Sequence, residues 1–150
     1  FGIQIDSLAD IVCFGVSPAI LCYRMGMRGL TGVAILLFYV LAGLIRLAWF
    51  NVSEEVRQDE TEEKRKYYQG LPITSSALIF PFIYAVEGFV NRYKPKLPIT
   101  IPNMNLIYTI IMFLVAFLFV WDIKVKKPGL RETIVMGLLG LLMVVGIVIR

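Results

Sequence analysis

The sequence predicts an all-α integral membrane protein with about five transmembrane helices in its 150 residues. Three observations carry that expectation. Apolar residues make up 58% of the chain, and the mean hydropathy of +0.76 lies well above that of a soluble globular domain. The apolar residues fall into five stretches, at 6–23, 30–50, 71–90, 104–121 and 133–149. The charges gather mostly between those stretches, so the net charge of +4 concerns lipid headgroups and topology. No nucleic-acid partner is expected.

The first stretch, 6–23, carries Asp6 and Asp10 at its mouth and Pro18 as a kink. No basic n-region precedes it, so no secretory signal is read there. Residues 24–29 form a short basic turn with glycine. The second stretch, 30–50, is uncharged up to Arg46, and Gly29, Gly32 and Gly43 give it weakly the spacing of close helix contacts. Segment 53–66 is polar throughout, with Ser53 as a plausible N-cap, six acids first, and Lys64, Arg65 and Lys66 last. That order suits a solvated helix outside the bilayer, with Tyr67 and Tyr68 at the interface.

The third stretch, 71–90, begins with Leu71 and Pro72, is kinked at Pro81 and holds Glu87 near its far end, an interfacial position. Segment 91–103, with Pro95, Pro98 and Pro102, is a loop. The last two stretches each have at least 17 uncharged residues, enough to cross a bilayer. Gly137, Gly140 and Gly146 in the fifth predict packing against a neighbour. Cys13 and Cys22 lie nine residues apart on opposite faces of one helix and cannot pair.

Alternation of the spans brings residues 1–10, 51–70 and 122–132 to one side of the membrane. The last two regions hold eight basic residues against six on the other side. The positive-inside bias, though slight, turns the aspartate side to the cytoplasm. Asp122 lies on that side as a capping or interface residue.

Gly2, Asp6 and Asp10 recur every four residues, so a helix sets them along one face about one turn apart. The 13 residues 11–23 carry no charge, and a carboxylate entering such a span costs roughly 2.5–3.5 kcal/mol on insertion scales. Two readings stand. Either a cation sits between the carboxylates, or they are solvated at a wet helix mouth. Hard oxygen ligands and the absence of histidine favour Mg²⁺ or Mn²⁺ over zinc. Arg46 has two readings as well: it snorkels to the headgroups, or its fork holds a phosphate or carboxylate. Asn51 is a helix-end residue or a site residue, and Gly70–Pro72 shape a bend or contact a ligand.

G-x-x-x-D-x-x-x-D, here Gly2, Asp6 and Asp10, resembles the second half of the CDP-alcohol phosphotransferase signature. The surrounding DSLADIVCFGVSPA is similar to the form found in the serine-accepting members, the CDP-diacylglycerol–serine O-phosphatidyltransferases. IRLAWFNV at 45–52 and QGLPIT at 69–74 agree in order and character. The specific motifs cover roughly residues 1–75. Trp49 stands where the family has a second arginine, and Thr74 where proline is common. The first half of the signature, D-x-x-D-G-x-x-A-R, is not in this chain, which begins at Phe1. The expectation is one transmembrane catalytic domain over 1–150 that lacks the N-terminal helices of the family and is inactive by itself.

The resemblance implies transfer of a phosphatidyl group from CDP-diacylglycerol to the hydroxyl of L-serine, with release of CMP. It implies Asp6 and Asp10 as metal ligands, Asp10 as general base, and Gly2, Arg46 and Asn51 as substrate-binding residues. The implied cofactor is Mg²⁺ or Mn²⁺. The implied location is the cell membrane, multi-pass, with the active site facing the cytoplasm. Membrane lipid and a second copy of the chain, in a homodimer, are the further partners. Two rivals remain: a family member with another acceptor, such as glycerol phosphate or an inositol phosphate, and an ion or proton carrier using Asp6 and Asp10 as a relay.

Overall fold

The computed structural model describes residues 1–60, 67–93, 104–126 and 129–148. Those residues are overwhelmingly helical. The basic cluster at 64–66, the prolines at 95, 98 and 102, Lys127 and Arg150 lie outside them. Two compact units are formed, Phe1–Ser76 with Pro102–Lys127, and Ala77–Ile101 with Pro128–Arg150.

In the first unit a continuous helical rod runs from Gly2 to Arg24. It comprises α1 (Gly2–Asp10), a π-helical turn (Ile11–Val16) and α2 (Ser17–Arg24). The irregularity predicted at Pro18 is thus a π-turn just before it. Proline has no N–H to offer the Phe14 carbonyl four residues back. That oxygen accepts instead from Tyr39 Oη at 2.6 Å and lies 3.0 Å from Ser76 Oγ. Cys13 is exposed and Cys22 buried, both free, as positions on opposite faces require.

The expected basic turn follows, with Gly26 at φ 121°. A Cβ there would sit 2.8 Å from Asn105 Oδ1, so glycine answers both the backbone and the crowding. Next comes α3 (Leu30–Glu60), 31 residues long. Its length corrects one expectation. Residues 53–60 are no separate solvated helix but the continuation of the second apolar stretch, and Ser53 is no N-cap. The Ser53 hydroxyl donates to Phe50 O, 3.0 Å away and one turn back inside α3.

The core of this unit lies where α3 packs on α5 (Met104–Val120). Tyr39 and Ala42 on α3, and Tyr108, Met112, Val115, Ala116 and Phe119 on α5, are buried at the three- and four-residue spacing of a helix face. The Tyr39 and Phe119 rings tilt together at 5.5 Å. Gly43 is the point of closest approach to the chain before α4. A Cβ there would meet Ile73 Cδ1 at 2.9 Å and Ile11 Cδ1 at 3.3 Å.

Hydropathy did not foreshadow a small antiparallel ladder. β1 (Tyr67–Gln69) pairs with β2 (Lys124–Lys126), Tyr67 opposite Lys126 and Gln69 opposite Lys124. Gly70 N–H to Ile123 O at 2.6 Å prolongs the ladder, and Leu71 N–H then donates to Leu118 O at 3.3 Å in the last turn of α5. A 3₁₀ turn (Ile73–Ser75) then leads into α4 (Ser76–Tyr93).

The second unit contains α4 from Ala77 onward, with Pro81 inside it, and α6 (Leu130–Val148). Within it Gly140 faces Leu78, whose Cδ2 would lie 3.7 Å from a Cβ. Ile134, Val135, Met136, Leu138 and Leu139 of α6 are exposed, as in a helix that is apolar around its girth.

Among the described residues two helices are long and apolar enough to cross a membrane, Gly2–Arg24 and Leu30–Arg57. Ile73–Gly88 and Asn105–Val120 are apolar but shorter.

Candidate active site

The site residues come together because the Gly2–Arg24 rod and α3 are joined by a tight turn. The start of one is thereby brought beside the polar end of the other. Asn51 Nδ2 of α3 donates to Ser7 Oγ of α1 at 2.8 Å, which fixes that register. Around this bond lies a cavity of about 430 Å³ lined by Gln4, Asp6, Ser7, Asp10, Asn51 and Glu54, among others. Asp6 and Asp10 therefore open on one space, as their four-residue spacing predicts. Asn51 shares it. Gly2 does not line it and is exposed.

A second cavity, about 230 Å³, is lined by Asp10, Arg46, Leu47, Phe50, Pro72, Ile73 and Thr74. Asp10 belongs to both cavities, and so stands between the carboxylate space and the guanidinium space. Arg46 is buried, 5% exposed, and donates from Nε to Leu71 O at 3.2 Å. Its guanidinium carbon lies 5.9 Å from the Phe50 ring centroid. The side chain thus turns inward to the 70–72 bend instead of outward along the helix.

Gly70, at φ 76°, lets that bend approach. A Cβ there would sit 3.1 Å from Trp121 O and 3.3 Å from Arg46 Nε. Trp49, at the place of the family's second arginine, is 63% exposed. With Arg46, Trp121 and Asp122 it lines a further cavity of about 370 Å³.

Ser7, Glu54 and Glu55 are cavity residues that the sequence reading passed over. The signal was present, since 54 and 55 follow Asn51 by three and four positions on one helix face. Taking Ser53 as a cap hid it. Glu54 is ion-paired with Arg57 one turn on.

The donors fit a hard divalent cation in kind. Four carboxylates, Asp6, Asp10, Glu54 and Glu55, line one cavity, amide and hydroxyl oxygens adjoin them, and neither thiol lines it. Among the described residues no group of three or more His, Cys, Asp or Glu side chains is placed to hold a metal ion.

The sequence that forms this site is similar to those of phosphatidyltransferases named for serine. The chain is 45% identical over 88 residues to CDP-diacylglycerol–serine O-phosphatidyltransferase of Saccharomyces cerevisiae, covering 57% of this chain and 32% of the yeast protein. It is 32% identical over 127 residues to the enzyme of that name from Methanocaldococcus jannaschii, covering 85% of this chain and 50% of the relative. It is also 36% identical over 93 residues to archaetidylserine synthase of Methanothermobacter thermautotrophicus, covering 61% and 36%. No protein-family model matches the chain. The resemblance to the serine O-phosphatidyltransferases read from the motifs is borne out by these similarities. The chain spans between about a third and a half of the length of these curated relatives.

Proposed function

We propose that the protein transfers the phosphatidyl group of CDP-diacylglycerol to the hydroxyl of L-serine, releasing CMP and forming phosphatidylserine. The observation that carries this is the joint placement of Asp6, Asp10 and Asn51 on one cavity, in a chain similar to enzymes named for that reaction. The relatives, the archaetidylserine synthase included, are named for serine and differ in the lipid part. That favours serine over glycerol phosphate or an inositol phosphate as acceptor.

Asp6 and Asp10 would hold Mg²⁺ or Mn²⁺, which supplies charge neutralisation and Lewis acidity at a diphosphate when bound. Asp10, between the two cavities, accepts the serine hydroxyl proton. The serine oxygen attacks the phosphorus bearing diacylglycerol, the phosphoanhydride bond breaks, and the electron pair leaves with CMP. Arg46 offers its guanidinium to an anionic group of substrate, the serine carboxylate or a phosphate. Asn51 holds Ser7 and lines the same space, and Gly2, one turn before Asp6 at the start of α1, is the remaining substrate-binding residue.

Residues 1–150 act as one catalytic domain in this reading, with the five apolar stretches crossing a cell membrane in turn and the carboxylate mouth facing the cytoplasm. Support comes from the length of α3. Its 31 residues extend roughly 46 Å at about 1.5 Å each, against a hydrocarbon core of about 30 Å. Its polar end, with Asn51 and Glu54, would therefore stand in the headgroup layer beside the aspartates. Membrane lipid and a second copy of the chain complete the partner set. The test is incubation of the full-length protein with CDP-diacylglycerol, Mn²⁺ and a panel of alcohols. CMP release that depends on L-serine and on no other alcohol is expected. Release driven by glycerol phosphate or inositol phosphate would transfer the assignment to that acceptor.

A further inference from the structure

The π-turn at Ile11–Val16 begins at the residue after Asp10 and has a geometric effect on the aspartates. Ser7, Ile11, Gly15 and Ala19 are spaced by four residues and lie on the inner face of the rod, Ile11, Gly15 and Ala19 buried. In an uninterrupted α-helix, positions four apart drift by about 40° per step, about 120° over three steps. A π-turn takes up about one extra residue, which returns about 100° of that drift. The turn is therefore what lets Ser7 reach Asn51 while Gly15 and Ala19 stay packed. Without it the aspartate stripe would swing by about 100° relative to the rest of the rod.

Two hydroxyls hold that turn from outside. Tyr39 and Ser76 are each 0% exposed. Tyr39 Oη donates to Phe14 O at 2.6 Å, and Ser76 Oγ lies 3.0 Å from the same oxygen and 2.8 Å from Ile73 O. Ser76 has one proton to share among Phe14 O, Ile73 O and the neighbouring Tyr39 hydroxyl, whereas Tyr39 Oη donates to Phe14 O. The Phe14 carbonyl is the one that Pro18 cannot serve.

We propose that Tyr39 and Ser76 are positioning residues, which clamp the Phe14 carbonyl and so fix the rotational setting of Asp6 and Asp10 on the carboxylate cavity. Neither touches that cavity, so each acts through the π-turn. The inference rests on the proposal that Asp6 and Asp10 hold a divalent metal.

The experiment measures Mn²⁺ binding to the purified full-length protein by the loss of the free Mn²⁺ resonance signal, without substrate, alongside the thermal midpoint. Asp6→Asn reports on the metal reading itself. Tyr39→Phe keeps the ring and removes the donor, and Ser76→Ala is the second, milder variant. The expected result is an Mn²⁺ dissociation constant raised about three- to tenfold in Tyr39→Phe, the scale of one net hydrogen bond, and less in Ser76→Ala. If both variants lower the thermal midpoint but bind Mn²⁺ normally while Asp6→Asn binds it weakly, the hydroxyls are merely structural and the proposal is overturned. Unchanged Mn²⁺ binding in Asp6→Asn overturns the metal reading, and the proposal with it. Should Tyr39→Phe fail to fold, Ser76→Ala decides between the same outcomes.

Discussion

A guanidinium that is 5% exposed within an apolar helix carries a desolvation cost that only nearby polar groups offset. In Arg46 that compensation includes the Leu71 carbonyl and the Phe50 ring face. Lysine would keep the charge but lose the planar fork that reaches the bend and the adjoining cavity together. Arg46→Lys is therefore expected to raise an apparent KM by roughly tenfold, within the 1–3 kcal/mol of a poorly matched charged hydrogen bond. The substrate affected identifies the target, serine for a carboxylate contact and CDP-diacylglycerol for a phosphate contact. Steady-state kinetics with each substrate varied in turn makes the distinction. Unchanged KM and kcat values would confine Arg46 to holding the bend, and a lowered thermal midpoint would accompany that outcome.

Between elements, a close constraint lies where α3 meets the π-turn and the 3₁₀ turn. Gly43→Ala would press a methyl to 2.9 Å from Ile73 Cδ1 and 3.3 Å from Ile11 Cδ1. Those are side-chain ends, so some yielding is expected, and the loss should be about 1–3 kcal/mol, read as a lower thermal midpoint in detergent. Most elements of this scaffold were legible beforehand. Hydropathy marked the helices, the four-residue spacing placed Asp6 and Asp10 together, and the glycines at 26 and 70 fell at real turns. What stayed hidden has identifiable causes. The β1–β2 ladder is three residues on each side, too short for an alternation to show. The π-turn depends on Tyr39 and Ser76, 25 and 62 positions from Phe14, a distance no local pattern spans. The polar end of α3 looked like a separate helix because composition changes there while the backbone does not. Reading Ser53 as a cap then removed Glu54 and Glu55 from view.

For the whole molecule, the antiparallel seating of the rod against α3 sets the carboxylate cavity at one end of that helix pair. A single-cysteine label at Val56→Cys, an exposed position on the polar end of α3, is expected to react with an impermeant maleimide from the cytoplasmic face. Gly29→Cys, at the turn joining the two helices, should react from the opposite face. The background for both replaces Cys13 and Cys22. Labelling of both from one face would remove the spanning arrangement of α3. The proposed chemistry itself turns on the charges of Asp6 and Asp10, because asparagine keeps their size and hydrogen bonding and removes one charge from the metal site. Serine-dependent CMP release by the full-length protein, compared among wild type, Asp6→Asn and Asp10→Asn, is the most direct measurement. The expected result is a loss of turnover by orders of magnitude in both variants, with CDP-diacylglycerol still bound by Asp10→Asn. Near-normal turnover in Asp10→Asn would contradict the assignment of the base.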